Sequence, residues 1–317
     1  MLTVLLAILI ASPACAQNLL ASDTFPIDHP TVRAVAFMDE LVQARTGGRI
    51  GIMRRAGGKR DSDSFVIGQV RNGSLDMARV NLAALNGAVP DSVLPTLPFV
   101  FKSPEHMRRT LDGPVGHEIL ASLEPHGLIG LCFYDGGTRS FYSRSGPIRS
   151  VNDLKGLKVG VQAIDGWGTL LWALGATPVM VPMAQMRAAL QAGVVDAADG
   201  DWATYVAQDH HSVAPFYSLT AHSQPPSVLI FSQRTWRTLS AADQELLREA
   251  ALKSVGGMRD LMDGYQAAAR RRAERAGVSI TEDVHRMSFI KAMVPLYSRV
   301  LDEPYLLDVM SRIQADQ

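Results

Sequence analysis

The chain has 317 residues, and its 31 basic and 31 acidic side chains cancel. That balance argues against a general nucleic-acid binder and against a protein held by charge to an anionic membrane. Hydrophobic residues make up 47% of the chain and there are only two cysteines, so it can bury a large core without a disulfide framework.

Residues 1–17 carry an apolar run of about ten residues followed by small ones, with Ala14 and Ala16 in an A-x-A arrangement before Gln17. This reads as a signal peptide, residues 1–16, because a bilayer span needs about 20 apolar residues. The basic start of such a peptide is missing. Ser12 stands three residues before Cys15 where a lipoprotein signal has an aliphatic residue, which argues against a lipid anchor. Cleavage after Ala16 leaves Cys132 as the only thiol, in an apolar run where it reads as a small buried hydrophobe. The remaining chain of about 300 residues exceeds the size at which one core keeps growing, so two lobes are expected.

Short apolar strands then alternate with helical patterns, the mark of an α/β protein with parallel or mixed sheets. Strands are predicted at 19–21, 50–53 and 75–80, separated by a helix that starts at His29-Pro30 and stops at Gly47-Gly48, and by a second over 64–72 closed by Gly73. Helices around 104–111 and 115–126 lead into a strand at 128–134, and Asp135-Gly136-Gly137 reads as a flexible break. Alternation resumes with strands at 158–161, 177–181 and 195–197 and helices at 166–174, 183–192 and 202–209, before a β-rich stretch at 227–232. A last long helix opens on the capping pattern Ser240-Ala-Ala-Asp243 and runs to Gly277. Its length of roughly 50 Å exceeds the width of one lobe, so it is expected to span both, with Gly256-Gly257 as a candidate kink. Arg270, Arg271, Arg272 and Arg275 at its end read as a solvated face.

The chain shows no equipment for catalysis. It lacks the HExxH, CxxC, G-x-S-x-G and phosphate-loop patterns, and the adjacent His210 and His211 point about 100° apart on a helix, which prevents them from sharing a metal on one face. No cofactor, metal or catalytic residue is expected. Arginine is what stands out instead. Arg139 follows two glycines at a crossing between lobes, and Arg79 lies at the carboxyl end of a strand, where open α/β sheets bind ligands. A guanidinium is the planar, bidentate partner for a carboxylate or phosphate, although an interdomain salt bridge or a loop-pinning role is also open to each.

From Arg139 outward a family pattern emerges. Tyr134-Asp-Gly-Gly-Thr-Arg-Ser-Phe-Tyr142, Asp153-Leu-Lys-Gly-Leu-Lys-Val-Gly-Val161, Leu174-Gly-Ala176 and Ala189-Leu-Gln-Ala-Gly-Val-Val-Asp196 resemble the extracytoplasmic binding proteins of TRAP transporters, the tripartite ATP-independent periplasmic transporters of organic acids. Gly73-Ser-Leu-Asp-Met-Ala-Arg-Val80, Leu97-Pro-Phe-Val-Phe101 and Leu229-Ile-Phe-Ser232 extend the resemblance over nearly the whole mature chain. It implies a two-lobed periplasmic-binding-protein fold, with mixed sheets flanked by helices and the long helix spanning both lobes. Lobe I would comprise 17–136 plus 226–266 and lobe II 137–225 plus 267–297, with a C-terminal helix over 298–317 packing back on lobe I. The implied function is periplasmic capture of a small organic acid by a monomer, for a small and a large integral-membrane subunit. The wording around Met77-Ala-Arg-Val80 and Tyr134-Asp-Gly-Gly137 is most similar to members that bind sugar acids such as uronates.

The same comparison marks two departures. Gly160 stands where the family has its principal carboxylate-clamping arginine, and Gly200 where it has an amide that touches ligand. A lost charged hydrogen bond in a closed site costs about 1.5 to 3 kcal/mol, roughly ten- to a hundredfold in affinity. The expected ligand set is therefore Arg139 and Arg79, with Gln162 and His222 as hydrogen-bonding candidates, Trp167 and Trp202 as stacking platforms, Lys59 as a further positive charge, and Asp199, beside Asp201, if the ligand carries a cation. Trp172, five residues after Trp167, is expected in the core instead. A non-carboxylate polar ligand, and a sensory protein that presents its closed form to a membrane kinase, are the alternatives.

Overall fold

The computed structural model describes residues 17–57, 62–162, 166–300 and 303–315. The signal-peptide segment and Lys59 lie outside the described residues. The chain begins with β1 (Gln17–Asp23), α1 (Pro30–Thr46), β2 (Ile50–Ala56), α2 (Asp63–Asn72) and β3 (Met77–Asn81). It continues through α3 (Pro104–Asp112), α4 (Pro114–Ala121), β4 (Leu128–Tyr134), β5 (Arg139–Ser143), β6 (Lys158–Val161), α5 (Gly166–Ala173), β7 (Thr177–Met180), α6 (Met183–Ala192), β8 (Ala197–Gly200) and α7 (Trp202–Ala207). It closes with β9 (Phe216–Ser223), β10 (Ser227–Ser232), α8 (Gln233–Trp236), α9 (Ala241–Arg275), β11 (Ser279–Thr281), α10 (Arg286–Val300) and α11 (Pro304–Ala315).

Capping chemistry sets many of these ends. Pro30 occupies the first turn of α1 and Gly47, at φ 62°, ends it; Ser62 caps α2, and Gly73 at φ 81° stops it. Ser240 accepts the backbone N–H of Asp243 at 3.1 Å to start α9, as the capping pattern predicts.

Two sheets result, one per lobe. The first has the order β2-β1-β3-β10-β4 and the second β11-β9-β5-β8-β6-β7. Each mixes parallel crossovers with antiparallel strands that return from the other lobe: β10 runs antiparallel to β3 and β4, and β5 antiparallel to β8 and β9. Apolar clusters cover both faces of each sheet. In the first, Met38, Leu247 and Met258 lie on one side, and Val70, Leu111 and Ile313 on the other. In the second, Leu171 and Phe289 face Met186 and Tyr205 across the strands. Cys132 is buried in the first lobe's core.

Four stretches of covalent chain join the lobes: the β4–β5 connection, the β9–β10 connection, the passage from α10, whose Phe289 lies in the second core, to α11, whose Ile313 lies in the first, and α9. The last is unbroken through Gly256-Gly257 over 35 residues, roughly 50 Å, and packs Leu247 to Met262 on the first lobe and Ala273 on the second. Its continuity is a correction to the candidate kink: a helix buried along one stripe on two cores tolerates two exposed glycines at about 1 kcal/mol each.

The crossing glycines are also not flexible joints. Neither Gly136 nor Gly137 has a positive φ. Instead the space where a Cβ would stand is filled, at Gly136 by the Pro225 carbonyl of the neighbouring crossing and at Gly137 by the Asp201 and Gln266 side chains. The two crossings therefore lie in backbone contact, and only glycine allows that approach. Asp135, just before them, is held by Arg108 at 2.6 Å, and Arg108 also binds Asp263 of α9. Gly136→Ala drives a methyl into a backbone carbonyl that has no rotamer to escape through. It is expected to destabilise by about 2 kcal/mol, the cost of overpacking. A melting temperature equal to that of the parent chain would contradict this account of the crossing.

Candidate functional site

The second sheet assembles the richest polar cluster on one of its faces. Phe141 on β5 lies directly opposite Asp199 on β8, which makes Arg139, two residues earlier, the diagonal neighbour of that carboxylate. Arg139 Nε donates to Asp199 Oδ2 at 2.7 Å and its Nη2 to the Asp199 carbonyl at 3.0 Å. Trp167, on α5, donates its Nε1 to Asp199 Oδ1 at 3.2 Å. His222 brings Nε2 within 3.3 Å of Asp199 Oδ2, and its Nδ1 lies 2.9 Å from Thr220 Oγ1.

His222 reaches this face because β9 bulges. Between the Arg139–Ser223 and Phe141–Ser218 pairs, β9 advances five residues while β5 advances two, and Ala221 takes φ 44° within the bulge. The His222 ring then stacks on Trp167 at 4.8 Å and 6°, with Phe141 4.4 Å from His222 and 6.0 Å from Trp167. The result is an aromatic wall beside a guanidinium.

Electrostatics fix the roles within the cluster. Burial works against the charge on Arg139, but the adjacent Asp199 carboxylate outweighs it and raises the arginine's pKa further. Burial likewise pushes Asp199 upward, and Arg139 with the His222 hydrogen bond more than reverses it, so Asp199 stays ionised. The Asp199 side chain is 2% exposed and both its oxygens have donors, whereas Arg139 remains 27% exposed. Arginine has five N–H groups. Asp199 holds the Nε side, and among the described residues the Nη1 end has no hydrogen-bond partner. Asp199 thus aims Arg139, leaving an end-on edge for a planar anion.

Arg79 is differently employed. Continuing the parallel register of Ser22 with Ala78 places Asp23 beside Arg79 at the carboxyl ends of β1 and β3. Arg79 Nε donates to Asp23 Oδ1 at 3.1 Å, its Nη2 bonds the same oxygen and Thr24 Oγ1, and Phe25 lies 4.3 Å from the guanidinium carbon. Its side chain is 3% exposed. Thr31 donates to the other Asp23 oxygen at 2.7 Å, and His29 stacks on Phe25 at 3.9 Å. Asp23, Phe25 and His29 were not singled out by the sequence; acidic and basic residues at the ends of adjacent parallel strands are the signal that identifies the pair.

The other candidates scatter. Gln162 is exposed just past the end of β6. Trp202 stacks on Tyr217 at 3.7 Å on the opposite face of the sheet, against Tyr205, which is a packing position between α7 and the sheet. Asp201 caps α7 through the Thr204 N–H and accepts from Gln266 at 2.6 Å, so neither it nor Asp199 presents an open carboxylate to a cation. No group of side chains fit to hold a metal occurs among the described residues. Trp172 is 57% exposed, correcting its expected core position: Trp167 takes the inward face of α5, and a residue five further on points away.

Gly160 and Gly200 face away from the cluster. A Cβ on Gly160 would stand 2.9 Å from Met186 Cε and closer to its sulfur, and one on Gly200 would meet the Tyr142 ring at 3.4 Å. The direction a clamping arginine would take from position 160 is filled by Met186, so the substitution is coupled to core packing. A separate cavity of about 510 Å³ lies outside this face, between α4, β4 and α9, and contains none of the predicted ligand residues.

Two lobes joined by several crossings, and a buttressed arginine beside an aromatic wall, define a bilobal solute receptor. Residues 21–303 match the model of bacterial extracellular solute-binding protein family 7. The chain belongs to that family, the solute-binding proteins of TRAP transporters. A solute-binding protein of Chromohalobacter salexigens is 30% identical over 318 residues, covering 100% of this chain and 95% of the relative. Among solved structures, a TRAP periplasmic solute-binding protein of a Bradyrhizobium species, in complex with D-galacturonate, is 42% identical with a TM-score of 0.87, covering 94% of this chain and 100% of that one. One from Xanthobacter autotrophicus, with bound β-D-galacturonate, is 39% identical with a TM-score of 0.87 over the same shares.

The histidines give the site a pH signature. Burial lowers the pKa of His29 to about 4, against the pull of Asp23, and burial lowers that of His222 despite Asp199. An unfolded chain binds these protons near pH 6.5. The stability of keeping them neutral is thus complete above about pH 6.5 and is lost as pH falls toward the folded values. Asp199, held below the usual carboxylate range, adds its loss only under about pH 4. The unfolding free energy is expected to decline from pH 6.5 to 4, with a shallower slope in His29→Gln, by about one proton in that window. Urea unfolding at a series of pH values measures it, and identical slopes would refute the assignment.

Proposed function

We propose that this chain captures a hexuronate, D-galacturonate first among them, between its lobes and presents it to a small and a large integral-membrane subunit. It does so as an exported protein released from its signal peptide, and as a binder without turnover. The lobes divide near residues 136, 226 and 266, and the segment from 298 packs back on the first lobe.

The observation that carries the ligand class is the end-on edge of Arg139, set by Asp199 and flanked by Trp167, His222 and Phe141. A uronate offers the complement: a planar carboxylate for the fork, and a pyranose ring whose apolar C–H face suits an aromatic wall. The two galacturonate-bound structural relatives support the same class. Membership of the family supports the membrane partners and the export.

Isothermal titration with D-galacturonate, D-glucuronate and succinate tests the reading. Both uronates are expected to bind and succinate to bind more weakly. Arg139→Lys keeps the charge but removes the fork, and is expected to weaken uronate binding at least tenfold, the scale of one charged hydrogen bond at about 1.5 to 3 kcal/mol. The proposal fails if neither uronate binds, or if the lysine variant binds as the parent does.

A further inference from the structure

The segment Leu97-Pro98-Phe99-Val100-Phe101 belongs to the first lobe by its packing. Leu97, Val100 and Phe101 all sit against that lobe's core beside Leu94 and Met107. Phe99 does not. It has φ 56°, a left-handed conformation rarely adopted by an aromatic residue, and this turns its ring out of the first lobe and into the core of the second. There it lies 6.3 Å from Phe289 and 6.5 Å from His222, under the Arg286 guanidinium at 5.7 Å.

Backbone bonds fix it in place. The Phe99 N–H donates to the His222 carbonyl at 2.8 Å, and Tyr297 of α10 donates its hydroxyl to the Pro98 carbonyl. Arg286 also donates to the carbonyl of Ala221 at 3.2 Å, the other positive-φ residue of the second lobe's bulge. Two strained residues on different lobes are thus bound into one knot.

His222 links this knot to the arginine. Its carbonyl holds Phe99 and its ring faces Asp199, which aims Arg139. We infer that Phe99 is a positioning residue: a non-covalent connection between the lobes, added to the covalent ones, that ties their relative placement to the setting of Arg139 through His222 and Asp199. The covalent crossings permit a range of lobe angles, and the Phe99 knot narrows it. The expectation for affinity rests on the uronate reading above; the expectation for lobe placement does not.

The test is the distance distribution between spin labels placed on the two lobes, at Arg33→Cys and Ala192→Cys, both exposed positions, with Cys132 left buried. Phe99→Ala is expected to broaden the distribution in the unliganded protein. Phe99→Leu, which refills the socket, should restore most of its width. With D-galacturonate, the alanine variant should bind about tenfold more weakly, as when the competent population falls tenfold. Phe99→Gly, whose backbone accepts φ 56° unaided, serves if the alanine variant does not fold. A distribution unchanged in the alanine or glycine variant overturns the proposal, whatever happens to affinity or melting temperature. Failure of the parent chain to bind D-galacturonate, with the broadening still present, overturns the ligand reading alone.

Discussion

The site depends on the ion pair between Arg139 and Asp199. A guanidinium set at the end of a strand without a partner would sweep through several rotamers, and each would present its donors differently. Asp199, enclosed by Arg139, Trp167 and His222, removes that freedom. The arrangement is costly to disturb: breaking a buried pair by removing one member typically costs about 3 to 5 kcal/mol, because the remaining charge is left without compensation. The pair's value here lies in direction. It fixes which edge of the arginine faces outward before any ligand arrives, so less ordering remains to be done on binding.

The same logic separates the two arginines that the sequence put forward together. Arg139 is aimed and partly exposed; Arg79 is enclosed by Asp23, Thr24 and Phe25. Both are neutralised by one aspartate, so neither adds net positive charge to the cleft. Attraction of an anion must come from hydrogen-bond geometry more than from field strength, which favours a carboxylate on a bulky polar body over a small, highly charged acid. Gly160 fits this picture. Its missing side chain would point at Met186, on the opposite side of the sheet from Asp199, so this chain has placed core packing in that direction.

Much of the fold was legible because its signals are local. The strands over 128–134, 158–161 and 227–232 and the helix over 183–192 have the predicted bounds, since apolar periodicity and a terminal glycine or proline mark them. β5 and β9 were not predicted. Both mix polar and aromatic residues in no strict alternation, since they are paired on both edges inside a sheet and β9 is broken by its bulge. The strand predicted at 195–197 lies instead at 197–200, and this shift takes Asp199 from a loop into the sheet. Arg139 was recognisable from its setting beside two glycines. Its dependence on Asp199, 60 residues away, was not, because strand pairing at a distance leaves no local trace. Gly136 and Gly137 were visible as glycines, but their reason, a backbone approach to Pro225 and to Asp201, belongs to the tertiary structure.

The central claim is that Asp199 aims Arg139 and that the ligand takes the edge left over. A crystal structure of the protein with D-galacturonate measures this directly. The account predicts the uronate carboxylate on the Nη1 and Nη2 edge of Arg139, with the Nε bond to Asp199 intact and the sugar ring against the Trp167 and Phe141 wall. A carboxylate bound elsewhere in the cleft, or an Arg139 that has left Asp199 to reach its ligand, would contradict it.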